Sequence, residues 1–370
     1  MPSPDAHPAA FRPRRRRAGP RGEGDGPRWL SEAIGPGHKL AFLVVCAALL
    51  AFCALIGVAW AAGFEQVWQR LIYPHWVWLP VALAGELVAY LGYTLAYREV
   101  ARAEGGTELD APKAAALVAT GFGVFLQGGG FALDREALKR SGFSEAEARA
   151  RVLGLGALEY AVLAPAAAVC AVLVWLRTDN VSTSLTLPWI IGVPTGTAVA
   201  LALLGQRHRF QAGGWLRTRI AHALEALRLL LCILRRPRRY GLGVAGIALY
   251  WAGDIFCLWA TLHAFYAQPP PVSQLVLGYA TGYALTRRAL PLGGAGVVEA
   301  LLPFALGWVG IRLAPALLGV ACYRLFNLWL PMIPALAGIP AIARLQQPAR
   351  RRSTGARRYA PSRPRTRRAL

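Results

Sequence analysis

The chain has 370 residues, of which 55% are hydrophobic and only 16% charged, and it carries a formal net charge of +22. A soluble protein of this length has about 25% charged residues; here the charges are crowded between long stretches that have almost none, which excludes an ordinary soluble domain. The basic excess gathers at residues 14–17, 207–239 and from 344 onward, between or beyond the apolar runs, so it reads as the positive flank of membrane spans and not as a nucleic-acid surface.

Residues 1–38 are rich in Pro, Arg and Gly and are expected to form a disordered basic cytoplasmic arm. The run 40–64 then contains no Asp, Glu, Lys or Arg. It is longer than the roughly 20 residues that cross a bilayer, and too long and too far from the start for a cleaved signal peptide. The run 73–97 is interrupted only by Glu86. Residues 111–133 are apolar but broken by Gly128, Gly129 and Gly130. The run 152–176 holds only Glu159, and 180–206 holds no charge. Residues 206–239 carry nine arginines and one acid, with Trp215, Ile220, Leu224, Leu227, Leu231 and Leu234 able to share one helical face. That pattern predicts an amphipathic helix lying in the inner interface and tethering the first half of the chain to the second. The run 240–286 holds only Asp254, the segment from Ser273 to Gly310 is broken by glycines within Leu290 to Gly296, and 313–343 holds only Arg324. Residues 346–370 form a second basic tail. The expected fold is an all-α polytopic membrane domain over 39–345, with about six full spans and two re-entrant hairpins.

The two glycine-broken segments match one another. Ala119-Thr120-Gly121-Phe122 corresponds to Ala280-Thr281-Gly282-Tyr283, the Gly128–Gly130 run to Gly293-Gly294, and Glu136-Ala137-Leu138 to Glu299-Ala300-Leu301. Each is preceded by an apolar helix with one acid, Glu86 or Asp254. Each is succeeded by an apolar helix with one charge and a later proline, Glu159 with Pro165 and Arg324 with Pro331. The shared order points to an internal repeat, the first copy over about 73–176 and the second over about 240–343. If 111–133 crossed the membrane fully, the arginine-rich 206–239 would face outward, against the positive-inside rule. Entering and leaving on the cytoplasmic side avoids this, puts both termini in the cytoplasm, and makes the repeats inverted. The expected localisation is the cell membrane, as a multi-pass protein.

No P-loop lysine, GxSxG, HExxH, DxD or CxxC occurs, the six histidines are scattered, and the six cysteines sit in apolar or interfacial stretches; neither a metal nor another cofactor is expected. What remains is charge inside the bilayer, where an ionisable group costs about 3 kcal/mol or more and normally faces the bundle interior with a partner. Glu86, Glu159 and Asp254 suit either ion coupling or simple helix pinning. Arg287 and Arg288 differ, because they stand just before the expected hairpin tip, Leu290 to Gly296, and have no charged counterpart in the first repeat. Gly293, Gly294 and Gly296 permit close approach at the start of a half-helix, where a partial positive charge favours an anion. Arg288, with Arg287 beside it, supplies a fork for phosphate oxygens. Glu299 would hold an arginine or accept from a headgroup, with Arg324 as its partner.

Arg288, Pro291, Gly293-Gly294, Gly296 and Glu299, together with Tyr323-Arg324 and Trp329-Leu330-Pro331 further on, resemble the signature of the transmembrane domain of lysylphosphatidylglycerol synthases and their stand-alone, flippase-like relatives. Gly128–Gly130 with Arg135, Leu138 and Arg140-Ser141-Gly142 resembles that family's first-half motif, which adds Arg135 to the implied substrate-binding set. The family's usual proline before the glycine pair is Leu292 here. Some relatives attach a soluble domain that aminoacylates phosphatidylglycerol; after Ala343 this sequence has only an arginine-rich tail, so that activity is not expected. The resemblance implies movement of a phospholipid or lipid-linked anionic substrate between leaflets, with the bilayer as partner and no nucleic acid. Two rivals stay open on the sequence alone: a membrane-embedded transferase acting on a polyprenyl-phosphate substrate, and a non-catalytic envelope scaffold.

Overall fold

The computed structural model describes residues 37–106, 108–123, 130–177, 181–206, 214–265, 270–284 and 291–333. The expected arm and tail, apart from Gly37 and His38, fall outside these residues, as does the middle of the first glycine break. Among the described residues there are helices and turns and no strand. The chain is an all-α polytopic membrane protein.

The first span, α1 (Gly37–Ala62), begins at the edge of the basic arm. A short helix, α2 (Phe64–Ile72), comes next and buries no residue, exposing Trp68. The stretch expected as a first repeat holds α3 (Trp78–Arg102), α4 (Ala111–Gly123), α5 (Gly130–Arg140) and α6 (Glu145–Arg177). α7 (Thr183–Gly205) and α8 (Trp215–Arg235) come next. The stretch expected as a second repeat holds α9 (Pro237–Phe265), α10 (Val272–Tyr279), α11 (Val297–Trp308) and α12 (Leu313–Arg324). Of these, α1, α3, α6, α7 and α9 are the five helices long and apolar enough to cross a membrane. The sixth expected span is described only as a shorter apolar helix, Leu313–Trp329.

The helices that open the two repeats, α3 and α9, form the most extensive helix pair among the described residues. Glycines set their spacing. A Cβ built on Gly85 would lie 2.9 Å from the Gly253 carbonyl oxygen, and one on Gly92 would lie 2.6 Å from that of Gly246. The reverse contacts, Gly253 to Gly85 and Gly246 to Gly92, are each 2.6 Å. Any side chain would force the backbones apart, and small residues at such a seam are how helices associate where lipid offers no hydrophobic drive. The register runs antiparallel. Gly246 and Gly253 lie 161 residues beyond Gly85 and Gly92, the interval that also separates Ala119-Thr120-Gly121 from Ala280-Thr281-Gly282. Shifting Gly85 forward and Gly253 back by that interval turns the Gly85–Gly253 contact into the Gly246–Gly92 contact, so the seam is symmetric under exchange of α3 and α9.

At one end of this pair Arg102 Nη2 donates to the Arg239 carbonyl at 2.7 Å, and the Glu104 amide donates to the Tyr240 hydroxyl at 3.3 Å. Arg151 closes the end of α3, its Nε and Nη2 donating to the carbonyls of Ala101 and Ala103 at 3.0 and 2.9 Å. A guanidinium there satisfies carbonyls the helix leaves open and suits its negative end. Toward the other end of the bundle Trp60, Trp68 and Trp76 are exposed, on and around α2.

Candidate functional site

The helical path breaks at Pro291–Gly294. α10 runs into a π-helical turn, Ala280–Ala284; the described chain resumes with a tight 3-10 turn, Pro291–Gly294, and then enters α11. Leu292, Gly293, Gly294 and Gly296 have φ of 58, 62, 71 and 84°. Glycine takes this left-handed region freely, whereas for Leu292 it costs of order 1–3 kcal/mol. Proline, locked near φ −65°, cannot take it at all, so the Leu292 of this sequence matches the conformation observed. α1 covers the tip: a Cβ on Gly296 would meet Leu50 at 3.1 Å.

A buried ion pair clamps the break. Arg324 Nε donates to Glu299 Oε1 at 2.7 Å, with side-chain exposures of 2% and 1%. Arg324 Nη2 donates to the Gly293 carbonyl at 3.0 Å, and the Gly296 amide donates to Glu299 Oε2 at 2.7 Å. One arginine on α12 thus holds a carbonyl within the break and the carboxylate after it. Glu299, in the first turn of α11, also compensates that helix's positive end. The pairing anticipated for Glu299 and Arg324 is formed, and one amide expected to face an anion is already taken by Glu299.

A second polar centre adjoins it. Asp254, fully buried on α9, accepts from Tyr323 at 2.9 Å and from Asn327 Nδ2 at 2.8 Å through Oδ1, and from the Tyr279 hydroxyl through Oδ2. The Tyr283 hydroxyl donates to Asn327 Oδ1 at 2.7 Å, and the Arg324 guanidinium carbon lies 6.0 Å from the Tyr283 ring centre. Tyr283 lies in the first π-helical turn and Asn327 in a second, Leu325–Trp329, so the two widened turns are joined directly. π-Turns inside helices frequently mark functional positions. The network ties α9, α10, α11 and α12 into one buried centre.

Gly293, Gly294 and Gly296 form the tip, whereas Arg287 and Arg288 lie outside the described residues. Glu86 and Glu159 are buried on α3 and α6, and the Glu159 carbonyl accepts from Trp251 Nε1 at 2.9 Å. Arg135 is not brought to this centre: its Nε lies 3.4 Å from Glu145 Oε1 in an exposed cluster that includes Lys139, 2.9 Å from the same carboxylate. Sequence reading missed Tyr279, Tyr283, Tyr323 and Asn327 as members of the site. Their signal is two pairs of polar side chains four residues apart in otherwise apolar helices. Among the described residues no group of three His, Cys, Asp or Glu is arranged to hold a metal ion.

No curated protein matches the chain. Residues 40–335 match the family model described as lysylphosphatidylglycerol synthase TM region, a match that includes the clamped break. The chain belongs to the lysylphosphatidylglycerol synthase TM region family.

Proposed function

We propose that this protein moves an anionic phospholipid, or a lipid-linked anionic substrate, between the leaflets of the cell membrane, with both termini cytoplasmic. The observation that carries the reading is the broken helix at Pro291–Gly294, clamped by Arg324 and Glu299; the symmetric antiparallel seam of α3 and α9 supports reading the two halves as inverted repeats. Transporters with inverted repeats bind their substrates where discontinuous helices meet, the half-helix N-terminus facing the anionic group. In this reading α10 and α11 are the arms of a hairpin opening from outside, and α4 and α5 those of one opening from the cytoplasm. Arg102, Arg151 and Arg239 at one end of α3 and α9, with the exposed tryptophans around α2, fit that orientation. Arg287 and Arg288 supply the charge-assisted bonds to a phosphate, and Arg324 keeps the tip in position for them.

The test is reconstitution. Vesicles containing the protein and a trace of fluorescent phosphatidylglycerol are compared with protein-free vesicles, using a membrane-impermeant quencher. The proposal expects the inner-leaflet fluorescence to become quenchable with the protein present. Equal rates with and without protein, for both anionic and zwitterionic lipid, would leave the scaffold reading.

A further inference from the structure

On the arginine-rich side, α3 and α7 end and α9 begins, and α8 lies across these ends, packed on α6, α7, α9 and the Ala103–Gly105 turn. Leu224, Leu229, Leu230 and Ile233 are its buried face. At its start Trp215 is 68% exposed and the Arg219 guanidinium stacks over its ring at 4.2 Å. An amphipathic helix with an exposed tryptophan and arginine at one end belongs at the boundary of headgroups and acyl chains.

Beneath the last turns of α8 is a cleft of about 380 Å³. Arg228, Arg235 and Arg236 line it together with Glu104, and Leu204 and Leu231 form an apolar wall. Three arginines and one glutamate thus line the cleft, a surplus of two positive charges. Arg228 and Glu104 approach only to 3.7 Å, with the Arg228 side chain 60% exposed, so Glu104 does not take that arginine out of play. The surplus positive charge sits beside an apolar wall, at the ends of α3 and α7 where an interfacial helix places lipid headgroups, in a volume that suits a phosphate and its glycerol. Guanidinium forks match phosphate oxygens, and leucines match the first methylenes of an acyl chain. Free phosphate would use the arginines and leave the wall and most of the volume unfilled.

We propose that this cleft binds the headgroup of an anionic glycerophospholipid from the adjoining leaflet, at a site separate from the clamped break. The assignment does not depend on lipid movement.

The test uses the purified full chain in detergent and native mass spectrometry, with phosphatidylglycerol or phosphatidylcholine added. Replacing the three arginines together (R228Q/R235Q/R236Q) should lower phosphatidylglycerol retention by about a hundredfold, each interfacial arginine contributing roughly fivefold. Phosphatidylcholine retention should be unchanged. Because the triple variant could lose structure, Glu104→Gln provides an opposite test: it removes the competing carboxylate and should raise phosphatidylglycerol retention, a gain that a purely structural ion pair does not predict. Soluble glycerol phosphate should fail to displace the lipid. Equal phosphatidylglycerol retention by parent, triple variant and Glu104→Gln would overturn the site, and displacement by glycerol phosphate as efficient as by added lipid would overturn its assignment to a lipid.

Discussion

Arg324 reaches from α12 to Glu299 in the first turn of α11 at 2.7 Å, and with the same guanidinium holds the Gly293 carbonyl within the helix break. Both side chains are almost wholly buried. Removing either partner alone leaves an uncompensated charge inside the bundle, which costs about 3–5 kcal/mol, whereas replacing both with apolar residues of similar volume costs far less. Glu299→Leu and Arg324→Met should therefore each lower the melting temperature strongly in detergent. The double variant should recover most of the loss, and a strictly additive double variant would contradict the clamp.

The seam between α3 and α9 gives a second expectation. A methyl on Gly92 would lie 2.6 Å from both the Gly246 carbonyl oxygen and the Tyr250 amide nitrogen, backbone atoms that cannot rotate away. Gly92→Ala should destabilise by about 1–3 kcal/mol, the usual cost of overpacking. Gly57→Ala in α1 meets nothing within 4 Å and should be neutral or slightly stabilising, since alanine is the better helix former. Thermal melts of the two variants side by side check this.

The Asp254 centre predicts graded losses. Tyr323→Phe removes one donor to the carboxylate, and Tyr279→Phe another, each worth about 1.5–3 kcal/mol for a hydrogen bond to a charged group. Asn327→Leu removes a donor to Asp254 and the acceptor for Tyr283 together, and should cost more than either tyrosine change. Melting curves that rank Asn327→Leu as the mildest of the three would show that the network is not shared as described.

Much of this is legible in the sequence, for reasons that can be named. The long charge-free runs around Leu50 and Ile190, and the run around Val162 with its single Glu159, fix spans because bilayer thickness demands length, and length is read directly. Glu299 and Arg324 stand out because a lone charge in an apolar run needs a partner. The Gly85–Gly92 and Gly246–Gly253 pairs do not declare a seam in the sequence, since spaced glycines gain meaning only when a second backbone is seen against them. Tyr279, Tyr323 and Asn327 escape notice because hydroxyls and amides are tolerated in membrane helices, and only the fold aims all of them at Asp254. Arg135 errs the other way: the motif it shares with the family says nothing of Glu145, the partner it takes here.

Topology has its own test. In a background without native cysteines, single cysteines at Ser144 and Gln211 should resist an impermeant thiol reagent in intact cells, and one at Ser182 should react. Labelling of position 144 from outside would remove the cytoplasmic hairpin and with it the orientation proposed.

The central claim is that the clamped break presents arginine to a phosphate that crosses the membrane. It is tested most directly by measuring labelled-phospholipid movement in reconstituted vesicles for Arg288→Gln and Arg288→Lys beside the parent. Arg288 stands three residues before Pro291 in the sequence. The account predicts that the Gln variant loses movement while its expression and melting temperature stay near the parent's, and that Lys, which keeps the charge but not the fork, recovers only part. A Gln variant that moves lipid as fast as the parent would contradict it.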